Sequence, residues 1–171
     1  MHTIVKGNIE TIDQLSEFIE KLSEQDYQYT GSSLFESSIG QHLRHILDLY
    51  MAMMHPLQNG LIDYDVRRRG IPLETDKSVG LLELQQTRNW LETLTEQTLF
   101  EPIEVKSEVM LSSTQSIQVT STLGRELCFT SSHLVHHLAI MAAIARLIGH
   151  QVDSAIGQAP TTASFNRSQQ A

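Results

Sequence analysis

Cysteine is all but missing from this chain of 171 residues: Cys128 stands alone, so no internal disulfide can form. It is expected as a small buried hydrophobe in a reducing compartment. Long hydrophobic runs are missing too. None approaches the roughly 20 residues that cross a bilayer, which speaks against a membrane span. Met1 to Asn8 carries no basic stretch followed by an apolar core and a cleavage site, so no export is expected and a cytoplasmic location follows. Basic residues are outnumbered, 12 Lys and Arg against 20 Asp and Glu, for a formal charge of −8. Such a surface repels phosphate backbones and anionic lipid, so neither nucleic acid nor membrane is an expected partner. No G-x-S-x-G is present, which removes the nucleophile elbow of one hydrolase class. No glutamate is followed three residues later by a histidine, which sets aside a di-iron carboxylate bundle.

What is present is an ordinary globular composition, 40% apolar and 19% charged, on a chain long enough to bury one core. The apolar residues recur at helical spacing. Ile9, Ile12, Leu15, Ile19 and Leu22 form one stripe that predicts a first helix over about 8–26, capped by Asn8 or Thr11. Ser38-Ile39-Gly40-Gln41 has the form of a capping box, and Ile39, Leu43, Ile46, Tyr50 and Met53 continue a second helix over about 38–55 until Pro56. The stretch from Leu57 to Thr75, with Gly60, Gly70 and Pro72, predicts a long crossover loop that frees the third helix from running antiparallel to the second. Within it Arg67-Arg68-Arg69 follows Asp63 and Asp65 and is expected as a solvated loop rather than an anion-binding one.

A third helix is expected from Asp76 or Ser78 to Pro102, with Leu81, Leu84, Arg88, Leu91 and Thr95 on one side. Beyond Pro102 the period changes to two. Ile103, Val105, Ser107 and Val109 alternate with polar neighbours, a Ser/Thr-rich turn follows, and Ile117 to Thr120 completes a small exposed β-hairpin. From Ser121 or Thr122 a long fourth helix is predicted to about Leu147, apolar over a wide arc and stopped by Gly149. The fold expected is therefore all-α, a four-helix bundle over 1–150 decorated by one hairpin, with a polar tail over 151–171 that lies extended or disordered. The chain contains no internal repeat.

The informative feature is where the histidines stand. His133, His136 and His137 fall within five residues of the fourth helix, and His42 and His45 share the second. On a helix, positions i and i+4 differ by about 40° of rotation, so His133 and His137 can aim at one point. His42 shares its face with Ile39 and Ile46 and is expected to point inward. An imidazole buried without a partner costs roughly 1–3 kcal/mol, and several in one place call for a common partner, for which a divalent ion such as zinc or nickel is suited. His136 rivals His133 and His137, and His45 rivals His42, because spacing alone leaves their directions open; both are candidates for sites beside the ion or facing substrate. Cys128 is rotated by about 140° from His133 and is not expected as a ligand.

Ile39-Gly40-Gln41-His42-Leu43 in the second helix and His133-Leu134-Val135-His136-His137 in the last resemble the H…HxxxH arrangement of the DinB-like metal-binding bundles, and the resemblance runs from about Asn8 to Gly149. It implies an up-down-down-up four-helix bundle, a frequent homodimer, and a divalent ion held at His42, His133 and His137. Characterised relatives look like metal-dependent transferases for low-molecular-weight thiols, beside an isomerase and hydrolases. On that pattern the ion would lower the pKa of a thiol or water, with His45, His136 or Asp48 moving protons. The alternatives are a non-catalytic homodimer in which the ion ties two helices together, and an interaction module using the apolar faces of the first and fourth helices.

Overall fold

Helix starts in this chain are set by side-chain caps, and the caps explain where the architecture departs from the periodicity. In a computed structural model that describes residues 1–31, 34–56 and 60–169, the first helix, α1 (Thr3–Glu20), begins five residues before the expected start, because His2 Nδ1 accepts from the Ile4 amide at 3.2 Å. Asn8 is therefore not a cap. Its side chain is buried, donates to the Ile4 carbonyl at 2.9 Å and accepts from the Tyr50 hydroxyl at 2.8 Å. The same stripe does not run on to residue 26: Ser23 and Asp26 form a reciprocal capping box that begins a separate turn, α2 (Glu24–Tyr27). α3 (Ile39–Met54) begins as the sequence predicts, with Ser38 and Gln41 capping each other.

Leu57, expected to open the crossover, lies with Gln58 and Asn59 outside the described residues. The described part of the crossover is more ordered than a loop: it contains β1 (Leu61–Asp63) and a single 3₁₀ turn, Pro72–Glu74. β1 is only three residues long, too short to show a period. α4 (Lys77–Thr93) is capped by Asp76 and stops at Leu94, whose backbone turns extended, and Thr95 caps a short α5 (Glu96–Phe100). The expected third helix is thus two. β2 (Pro102–Glu108) and β3 (Ser116–Thr122) form the expected antiparallel hairpin, and β1 joins β2 in parallel register, Ile62 opposite Val105, to make a three-stranded sheet. α6 (Leu123–Leu147) is capped by Thr122 and ends at Gly149, whose φ of +99° only glycine takes readily.

The result is mostly helical with a small sheet. α1 and α3 each pack against both α4 and α6, and their buried faces share one core that includes Ile12, Leu15, Leu43, Ile46, Leu84, Leu91, Leu134, Leu138 and Met141. By length and composition α6 would suffice to cross a membrane. That corrects the expectation drawn from unbroken runs. Its inner side, Leu127, Leu134, Leu138, Met141 and Ala145, is buried in the bundle. Cys128 is exposed rather than buried, because Leu127 and Thr130 take the inward positions of that turn. The tail is not extended: Pro160 opens α7 (Pro160–Gln169), a position where proline's fixed φ favours a helix, and none of its residues is buried. Before it, Val152 and Ile156 pack against the core.

One close approach fixes α3 against the crossover. The Tyr27 ring is fully buried, donates from its hydroxyl to the Leu73 carbonyl at 2.6 Å, and lies over Gly40 and Gly80. A Cβ on Gly40 would collide with the Glu74 carbonyl and stand 2.7 Å from the Tyr27 ring. Alanine's better helix propensity, worth up to about 1 kcal/mol, is outweighed where backbone cannot yield. Gly40→Ala is therefore expected to destabilise the chain by about 1–3 kcal/mol in urea unfolding; an unchanged or raised midpoint would show that the crossover is free to move away.

Candidate metal centre

Four imidazoles meet where α3 faces α6. α3 supplies His42 and His45, three positions apart, and α6 supplies His133 and His137, four apart, so each pair stands on one side of its helix. The two rows run in opposite order. His42 Nδ1 lies 2.9 Å from His137 Nδ1, and His45 Nε2 lies 2.9 Å from His133 Nε2. Ring centroids are 4.7 Å apart for His45 and His137 and 4.6 Å for His133 and His137. The ligand atoms of His45, His133 and His137 all lie within 4.8 Å of one another. The trio grouped by geometry thus contains His45 where the sequence expectation had His42, and His42 touches the group through His137. The sequence left His45 open because both α3 histidines border apolar positions; the facing helix is what orients them.

His133 is further held from its own helix. The Phe129 ring stacks on it at 5.8 Å with planes 11° apart, and the Arg125 guanidinium lies 5.5 Å from the Phe129 centroid. This i, i+4 column was readable from spacing. His136 is exposed and lies with Cys128 along a different groove, between α1, α6 and the segment before α7, with a volume of about 580 Å³. Its ring is 5.3 Å from that of His137. Asp48, the expected proton carrier, is buried beneath two arginines: Arg44 at 3.0 Å and Arg68 at 2.7 Å.

The cluster opens on a cavity of about 720 Å³, walled by Gln41, His42, His45, His137, Arg67 and Arg69. Half-burial pushes the proton affinity of all four rings down. His137 falls to about 3, from burial first and then from His45, His133, His42 and His136 around it. His45 falls to about 4, from burial first, then Arg67, His133 and Arg44, with Asp48 opposing. Burial and His136 lower His42; burial, His136 and Arg67 lower His133. Neutral imidazole is the form a metal binds. Nitrogens on a tetrahedral ion stand about 3.4 Å apart for bonds of about 2.1 Å. The 2.9 Å pair and the 4.8 Å limit bracket that spacing, so the donor set fits a borderline divalent cation.

The Arg67-Arg68-Arg69 segment corrects the expectation of a solvated loop. Only Arg69 is exposed; Arg68 closes on Asp48 and Glu83, and Arg67 is half-buried in the cavity wall. Nothing in a charge triplet says which member turns inward, so the direction of these three arginines was not readable from their order.

A sequence model described as the DinB family matches residues 1–161. Among curated proteins, FK506-binding protein 5 of Rhizopus delemar is 31% identical over 102 residues, which is 60% of this chain and 26% of that protein. The chain therefore spans about a quarter of that relative's length. No solved structure matches.

Acid should expose the cost of keeping these rings neutral. Unfolded imidazoles bind protons near pH 6.5, whereas His45 and His137 in the fold do so only near 4 and 3. The stability they contribute is therefore full above about pH 6.5 and is lost progressively as pH falls toward the folded values. In chelator-treated protein, Tm is expected to fall by several degrees between pH 7.5 and 5, with a shallower slope in the His45→Gln/His137→Gln double variant. Parallel slopes would mean the rings titrate as they do in water.

Proposed function

The chain belongs to the DinB family, and on that premise we propose that it holds one divalent metal ion between α3 and α6 and works as a metal-dependent enzyme of the thiol S-transferase or hydrolase type. The observation that carries this reading is the convergence of neutral imidazoles from two helices on the wall of an open cavity. A structural site would be closed by a fourth protein ligand, whereas three ligands beside a cavity leave room for an incoming group. Zinc or nickel suits the all-nitrogen donor set. Such an ion supplies a lowered pKa to a bound water or thiol.

The chain's own residues divide the remaining work. Phe129 fixes the plane of His133, and Asp48 holds Arg44 and Arg68 in place rather than moving protons. His42, against His137 and facing the cavity, is positioned to accept a proton from a bound group. His136 borders the cluster from the other groove.

An up-down-down-up order of α1, α3, α4 and α6 fits the cross-helix contacts. Thr11 meets Ser131, Asp13 meets Arg88, Leu43 lies against Gly80 and Met54 against Thr87, while His42 meets His137 and His45 meets His133. A homodimer fits the apolar side chains left exposed on the hairpin, Val109, Ile117 and Val119. A cytoplasmic location fits the free thiol of Cys128. A second reading, an ion that only ties α3 to α6, is favoured by the two 2.9 Å contacts, each of which joins one ring of α3 to one of α6.

Metal content of the purified protein tests the proposal. Wild type is expected to retain about one ion per chain. His45→Ala, His133→Ala and His137→Ala are each expected to lower affinity at least ~10-fold, while His136→Ala leaves it unchanged. His42→Ala decides the fourth ring's role: a loss as deep as that of His45→Ala makes it a ligand, and retained metal makes it a neighbour. Equal trace metal in wild type and His137→Ala would remove the site altogether.

A further inference from the structure

The carboxylates around the cavity are nearly all spoken for. Asp48 accepts from Arg44 at 3.0 Å and from Arg68 at 2.7 Å; Glu74 accepts from Arg44 at 2.9 Å and from the Gly70 amide at 3.2 Å. Both oxygens of Glu83 accept from Arg68 Nη1, at 3.0 and 3.1 Å, while Arg68 Nη2 is buried without a hydrogen-bond partner among the described residues. Asp65 accepts from Ser116 at 2.6 Å and from the Glu108 amide at 2.6 Å, with Lys106 at 3.6 Å. Among the described residues none of these carboxylates hydrogen-bonds Arg67, although Asp48 and Asp65 lie near enough to act on its charge. Its Nη1 is buried and has no hydrogen-bond partner among the described residues, although its side chain lines the cavity beside His42, His45 and His137.

A buried guanidinium nitrogen without an acceptor is costly, and such groups in native proteins are nearly always matched. The chain as a whole is strongly acidic, with a formal charge of −8, so a cationic wall at this one place is not a by-product of composition. Arg69 stands on the same wall and adds to its positive potential. We propose that Arg67 binds an anionic oxygen group, the carboxylate or phosphate of a small-molecule substrate, and so orients that substrate toward the histidine cluster. The guanidinium fork matches two oxygens of either group, which lysine would not do. This names the substrate class for the reaction site proposed above; it rests on that cavity being a reaction site, but not on the ion.

The test uses metal-free, chelator-treated full chain, so that an anion bound directly to an ion cannot contribute. Inorganic phosphate, and separately acetate, is titrated while the arginine Nε–Hε resonances are followed by NMR. In wild type the Arg67 resonance is expected to shift saturably. R67Q is expected to weaken binding roughly tenfold or more, R67K to restore part of it, and R146Q, which removes the same charge far from the cavity, to leave it unchanged. Stronger binding of phosphate than acetate identifies a phosphate-bearing substrate, and the reverse order a carboxylate; both support the site. Undiminished binding in R67Q, an equal loss in R146Q, or no saturable Arg67 shift with either anion overturns it. Should R67Q fail to fold, the wild-type titration alone decides. Metal content, measured apart, judges the ion independently.

Discussion

The fold is organised around one constraint: the half-buried imidazoles of α3 and α6 must meet ring to ring across the helix interface. His42 against His137 and His45 against His133 belong to one antiparallel register of the two helices; a slip of one turn, about 5.4 Å, would bring His45 opposite His137 or His42 opposite His133 and leave one ring of each helix without an imidazole partner. That register is set from outside the cluster. Ser38 and Thr122 define where the helices begin, and the approach of Gly40 to Tyr27 and Glu74 sets how far α3 can slide. The apolar core beneath them supplies the bulk of the stabilisation. The polar contacts decide which of several equally apolar arrangements is adopted.

A second layer of charge supports the first. Asp48 draws Arg44 and Arg68 together behind α3, and Glu74 and Glu83 complete the network, so the crossover is clamped to the helix that carries His42 and His45. Such a buried network is a weak source of net stability, because desolvation offsets most of the attraction. Its effect is positional. It holds the crossover in the cavity wall, where Arg67 stands beside His42, His45 and His137.

Much of this was legible in the amino-acid order. The α3 capping box, the α6 span, the hairpin and the concentration of histidines on two helices all follow from local rules, which need no knowledge of what lies opposite. Some misses are local, the caps at His2, Ser23 and Thr95 that move helix ends, and the others share one physical origin. Asn8 looks like a helix cap but hydrogen-bonds Tyr50, some forty residues on. Three residues of β1 carry no period, yet pair with β2. Cys128 reads as a core residue until α6 is rotated against α1 and α3. His45 and His42 are equivalent by spacing, and only α6 distinguishes their contacts. Each property is decided by a partner distant in sequence, and periodicity reports on a helix's own faces alone.

The same reasoning bears on why the histidine cluster could hold a cation. In each 2.9 Å pair one nitrogen must donate and the other accept, so two neutral rings satisfy only one of each ring's two nitrogens, and both pairs draw on tautomers that cannot change independently. Adding a proton does not relieve this, because burial and the surrounding rings already hold His45 and His137 well below the ordinary imidazole range. A divalent ion removes the conflict. It would accept a lone pair from His45, His133 and His137, would require no proton between them, and would turn the depressed proton affinity into an advantage, since no proton has to be displaced at neutral pH. The low proton affinity expected to cost stability in acid would thus be what prepares the cluster for a metal near neutrality.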